Sequence, residues 1–93
     1  MTYQITDYTK NKAKLFNVLV KPSNKKFYKI DIYDLKNNYI TSIGDKRYKD
    51  FPTYIKEEGM QKALERRRLY YIRHKKDISK IGSRGWWAGV LLW

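Results

Sequence analysis

The sequence predicts an α+β fold: a three-stranded antiparallel meander packed against one long basic helix and a short Trp-rich C-terminal helix. Short β-rich runs separated by turn residues fill the first half, a charged helix-forming stretch follows Gly44, and Trp86 to Trp93 are almost wholly apolar. At 93 residues the chain falls within one small domain, which buries only about 60 to 65% of its unfolded surface. Its core must be thin, although nine Tyr, three Trp and three Phe supply bulky apolar material for it.

Residues 1–14 mix Thr, Asn, Lys and Tyr without a clear period and read as an arm or leading strand, ahead of a single α+β domain over 15–93. The run Leu15 to Val20 is β-rich and stops at Lys21-Pro-Ser-Asn-Lys25, where Pro22 has no N–H for a ladder. Lys26 to Tyr33 alternates, with Tyr28, Ile30 and Ile32 on one face and Phe27, Lys29, Asp31 and Tyr33 on the other. Asp34 to Asn38 is a turn whose Asn residues tolerate left-handed backbone angles, and Tyr39 to Ile43 returns as the third strand.

Asp45 to Pro52 reads as a loop leading to a helix that Asp50 or Thr53 can cap. The helical composition runs from about Glu57 to Lys76, with Gly59 an awkward member of its first turn. At 3.6 residues per turn, Met60, Leu64, Arg67 and Tyr71, flanked by Ala63 and His74, form the expected core stripe. Lys62, Arg66, Leu69, Arg73 and Lys76 form a second stripe, an exposed cationic ridge. Gly82 to Gly85 breaks the chain before the terminal apolar helix.

Twenty-one Lys and Arg against nine Asp and Glu give a net charge of +12, beyond the roughly 2 to 8 that solubility asks of a small domain. Such an excess repels itself, and a polyanion relieves it. Eight of the basic residues fall between Lys62 and Lys80, opposed only by Glu65 and Asp77. The absence of cysteine excludes a disulfide framework and Cys-rich zinc sites, and suits a reducing intracellular setting. The N-terminal residues lack the pattern of a secretory signal, and Trp86 to Trp93 is far short of the ~20 residues a membrane span needs.

The expected phosphate-binding residues are Lys62, Arg66, Arg67, Arg68, Arg73, Lys75 and Lys76, because guanidinium groups hydrogen-bond two phosphate oxygens at once. Contacts to the sugar-phosphate backbone are expected rather than base readout. Tyr33 and Phe27, on the face opposite the isoleucines, are candidates for stacking on bases if that face is open. Trp86, Trp87 and Trp93 serve either the core or a protein-docking surface. His74 is the only histidine and reads as structural. Asp45, Asp50, Glu57 and Glu58 with His74 are the residues a Mg²⁺-dependent nuclease would need, but helix-capping and loop charge explain them better. The serines lack an accompanying base. No catalytic residue, metal site or cofactor is therefore expected.

Blocks along the chain resemble an uncharacterised family of small basic proteins of large nucleocytoplasmic DNA viruses, of the mimivirus and phycodnavirus kind. The resemblance is carried by Val18-Leu-Val-Lys-Pro-Ser23, Lys25-Lys26-Phe-Tyr, Ile43-Gly44, Tyr48-Lys-Asp50-Phe51, Arg67-Arg68-Leu-Tyr-Tyr-Ile-Arg-His-Lys75 and Ala88-Gly89-Val-Leu-Leu-Trp93. It implies a virion or the cytoplasmic viral factory as the setting, and no activity. The expectation is a non-enzymatic basic protein that associates with nucleic acid through phosphates. The alternative is a minor capsid or scaffold protein docked on larger virion proteins. Neither reading calls for a membrane span or a small-molecule substrate.

Overall fold

In the computed structural model, which describes residues 3–93, the fold is α+β, with a three-stranded antiparallel sheet and a helix closing the C-terminal end. The chain divides into two compact units, Met1–Tyr48 and Lys49–Trp93.

The first unit begins with helix α1, Asp7–Leu15, where an arm or leading strand is expected; Met1 and Thr2 lie outside the described residues. Thr6 caps it by accepting from the Thr9 N–H at 3.3 Å, and Asp7 places a carboxylate in the first turn. Only Thr9 and Ala13 of this helix are buried, so apolar periodicity gives almost no sign of it. Asn17, at φ 56°, turns the chain into β1, Val18–Pro22.

Strands β2, Tyr28–Asp34, and β3, Tyr39–Asp45, complete a meander in the order β1-β2-β3. Pro22 pairs with Ile30 on the edge strand β1, the position where a missing N–H does least harm. Ile30, Ile32 and Ile43 are fully buried on the expected core face. The β2–β3 turn is held by Asp34, whose carboxylate accepts from the N–H groups of Lys36 and Asn38 at 2.9 Å each and from the Asn38 side-chain amide at 3.1 Å. Asn37 takes the left-handed angle, φ 68°.

The second unit is helical. Asp50, buried, caps α2, Phe51–Glu58, by accepting from the Thr53 N–H at 3.0 Å, and Pro52 sits in the first turn, where no N–H is needed. The single helix expected from Glu57 to Lys76 is broken at both ends. Gly59, at φ 91°, separates α2 from α3, Met60–Arg73, and His74 separates α3 from the one-turn α4, Lys75–Ile78. A positive φ of this kind strains any residue with a Cβ, which is why glycine stands there.

Helix α5, Arg84–Leu92, is capped by Ser83 and passes close to α4 through two glycines four residues apart. A Cβ at Gly85 would overlap that of Asp77, and one at Gly89 would lie 3.3 Å from Ile78 Cγ1. Phe51, Ala63, Trp87, Leu91, Leu92 and Trp93 are the buried apolar residues of this unit. Trp93 stacks on Tyr70 at 4.5 Å and 10°, and Tyr70 on His74 at 4.3 Å and 27°. These rings make a continuous column.

Candidate nucleic-acid interface

The inward face of α3 is rotated from the expected stripe. Ala63, Arg67, Tyr70 and His74 turn inward, whereas Met60 and Leu64, 52% and 45% exposed, lie open and Tyr71 donates its hydroxyl to the Gly89 carbonyl at 3.3 Å. Arg67 is drawn in because its guanidinium lies 4.5 Å from the centre of the Phe51 ring, where charge and stem both pack on the aromatic face. This correction removes Arg67 from the freely exposed phosphate-binding set.

The ridge itself is present. Lys62, Arg66 and Arg73 are exposed and lie within about 40° of one another around α3 at 3.6 residues per turn. Arg68 is exposed on a separate side of the same helix, and Lys75 and Lys76 continue the exposed charge onto α4, beyond the His74 break. Arg66 also places its guanidinium 5.7 Å from the Tyr54 ring, which Lys49 approaches at 5.5 Å. Among the described residues, none of the seven expected cations forms an ion pair with a carboxylate.

The acids of this unit are used elsewhere. Asp50 caps α2. Glu57 and Glu58 reach Lys49 at 3.3 and 3.0 Å, which lowers the pKa of Glu58 and raises that of Lys49. Asp77 meets His74 Nδ1 at 3.3 Å. Glu65 alone stands among the helix cations without such a task. Glu58 also feels Arg66 and Lys62, which help lower its pKa, so the positive potential along α3 and α4 is compensated only in part.

The residues a metal nuclease would need are each engaged by other groups. Asp45 is chelated by Arg47, whose hydrogen bonds hold its carboxyl down to about 2. Asp50, Glu57, Glu58 and His74 hold the partners just described. Among the described residues, no three His, Cys, Asp or Glu side chains gather as a metal site would need. His74 instead ends α3, stacks on Tyr70 and bonds Asp77. An open groove of about 430 Å³ lies beside α1 and β1, lined by Tyr3, Gln4, Ile5, Lys10, Val20 and Pro22; among the described residues, Lys10 is the one charged group lining it.

The Trp-rich end is core. Trp87 and Trp93 are buried and Trp86 is half-buried against Trp87, with ring centroids 4.8 Å apart. Of the two expected roles, Trp87 and Trp93 take the core one, and Trp86 keeps part of its ring exposed. The sequence reading also misses a cluster on the sheet. It singles out Tyr33 and Phe27, but the register pairs Tyr33 with Tyr39 and leaves Phe27 exposed under Lys26. The near-symmetric placing of two tyrosines about the Asp34–Asn38 turn is the signal that finds it.

No protein-family model, no characterised protein and no solved structure matches the chain. Among the described residues no helix is long and apolar enough to cross a membrane.

Proposed function

We propose that the protein is a non-enzymatic, sequence-independent nucleic-acid-binding protein that holds backbone phosphates along α3 and α4, in the particle or cytoplasmic factory of a large DNA virus. One observation carries the reading: Lys62, Arg66, Arg68, Arg73, Lys75 and Lys76 are exposed and, among the described residues, form no ion pair, while four of the five acids in the same unit bond other groups. Leaving six like charges unpaired on eighteen residues of helix destabilises the free protein, and a phosphate backbone relieves that repulsion. The Arg-rich composition favours phosphate, through paired hydrogen bonds, over a looser acidic surface.

The direct test is the affinity of the full chain for duplex DNA across salt. Log affinity falls steeply against log salt, by about 0.9 per phosphate neutralised. An affinity that is flat from low to physiological salt contradicts the proposal.

A second reading, docking on larger virion proteins, draws support from the exposed Met60 and Leu64 on α3. Nuclease treatment of opened particles separates the two: release of the protein supports nucleic acid, and retention in the shell supports docking.

A further inference from the structure

The sheet face opposite the isoleucines gathers rings and ammonium groups at one end. Tyr33 of β2 stands across from Tyr39 of β3, with ring centroids 5.9 Å apart, edge to face. Lys21 of β1 brings its Nζ to 4.7 Å from the centre of the Tyr33 ring, and Lys25, between β1 and β2, comes to 4.1 Å from that of Tyr39.

This end of the face is fixed by a closed hydrogen-bond network. Lys25 Nζ donates to the Tyr39 hydroxyl at 2.5 Å and to Ser42 Oγ at 2.9 Å. Tyr39 in turn donates to Ser42 at 2.7 Å, and Ser42 to Asp31 at 2.6 Å. Lys21 Nζ donates to Asn37 Oδ1 at 3.1 Å. The rings and cations are therefore held in place before any ligand arrives, which lowers the entropy lost on binding.

The two ends of the face differ in access. Lys29 is 5% exposed with Tyr3 above it, whereas Tyr39 is 49% exposed and Lys21 is exposed. An exposed tyrosine beside a half-buried one, flanked by ammonium groups, is unnecessary for a core. It matches what an unpaired polynucleotide presents, which is flat π-faces joined by phosphates. A duplex hides those faces within its own stack, so the platform discriminates for single strands.

We propose that the Tyr33–Tyr39 end of the sheet is a stacking platform for unpaired bases of single-stranded nucleic acid, with Lys21 and Lys25 neutralising the phosphates between them. The inference rests on the nucleic-acid reading above but uses a separate surface from α3 and α4.

Three full-length proteins test it by fluorescence anisotropy on labelled oligothymidine, oligouridine and a DNA duplex: the native chain, Tyr33→Leu with Tyr39→Leu, and Lys62→Gln with Arg66→Gln and Arg73→Gln. The tyrosine variant should lose at least about thirtyfold on single strands and keep its duplex affinity within about twofold. The two single strands report whether the platform prefers DNA or RNA. Unchanged oligothymidine and oligouridine binding by the tyrosine variant overturns the platform and leaves the phosphate reading standing; no binding of any nucleic acid by the native chain overturns both. Should the double variant fail to fold, photo-crosslinking of the native protein to iodouridine-bearing single strands decides. Adducts at Tyr33 or Tyr39 support the platform, and adducts confined to α3 and α4 overturn it.

Discussion

The two units carry equal charge by different means. Met1–Tyr48 has ten basic residues against four acidic, and Lys49–Trp93 has eleven against five, so each stands at +6. In the first unit the ammonium groups lie against rings: Lys12 on Tyr8, Lys21 on Tyr33, Lys25 on Tyr39, Lys26 on Phe27 and Lys29 on Tyr3. In the second, the central rings stack on one another, and the cations of α3 and α4 project without carboxylate partners. Net charge therefore says little about where a polyanion binds. What matters is where each cation stands: five lysines of the first unit lie against rings, whereas in the second Lys49 and Arg66 lie near Tyr54 and Arg67 on Phe51, and Lys62, Arg68, Arg73, Lys75 and Lys76 stand exposed on α3 and α4.

The comparison breaks most visibly at Trp93. If the Trp93, Tyr70 and His74 column is the core of the second unit, Trp93→Ala costs about 3 to 5 kcal/mol, read as a shifted midpoint in urea denaturation of the full chain. A cost below about 1 kcal/mol would mean that the rings are decorative. A smaller loss, about 1 to 3 kcal/mol, is expected for Gly85→Ala, because the added methyl meets the Asp77 side chain and lies within 3.3 Å of its backbone. Helix propensity alone favours alanine there by about 1 kcal/mol, so a gain in stability would show that α4 and α5 do not approach as described.

The smallest effects sharpen the comparison through pH. Arg47 holds the Asp45 carboxyl at about 2, below its unfolded value, so its contribution is full above about pH 4 and is lost as pH falls toward 2. Burial pushes the Tyr70 hydroxyl up to about 12, above its unfolded value, so its contribution is full below about pH 10 and is lost as pH rises toward 12. Thermal midpoints across pH should show Asp45→Asn flattening the acid limb and Tyr70→Phe the alkaline limb. Absorbance titration should show Tyr39, whose pKa is lowered by its hydrogen bond from Lys25, ionising before Tyr70. The reverse order would contradict both environments.

Much of the sheet was legible because period-two alternation and turn chemistry are local: Ile30 and Ile32 lie on the buried face, and Asp34 with Asn37 makes the turn, as read from residue type alone. The helical half was less legible. Helix α1 buries so little that only its Thr6-Asp7 start announces it. Gly59 reads as a weak helix residue but acts as a break, since its backbone angle depends on how α2 and α3 meet. The expected stripe of Met60, Leu64, Arg67 and Tyr71, flanked by Ala63 and His74, is shifted toward one flank: Ala63, Arg67, Tyr70 and His74 turn inward, with Arg67 on Phe51 and Tyr70 on Trp93, and Tyr70 is the member that apolar periodicity leaves out. Which side of a helix carrying apolar residues on two sides turns inward is set by its neighbours. The cationic ridge was legible because charge at three- and four-residue spacing has one geometric outcome on any helix.

Placement rather than amount of charge is the central claim, and one paired measurement tests it most directly. Two full-length variants each lose three positive charges: Lys62→Gln, Arg66→Gln and Arg73→Gln on α3, against Lys10→Gln, Lys14→Gln and Lys46→Gln in the first unit. The salt dependence of duplex binding should lose about 2.7 from its slope in the α3 variant, about 0.9 for each phosphate contact removed, and change little in the other. Equal losses from both variants would show that the duplex responds to total charge alone, and would contradict the account.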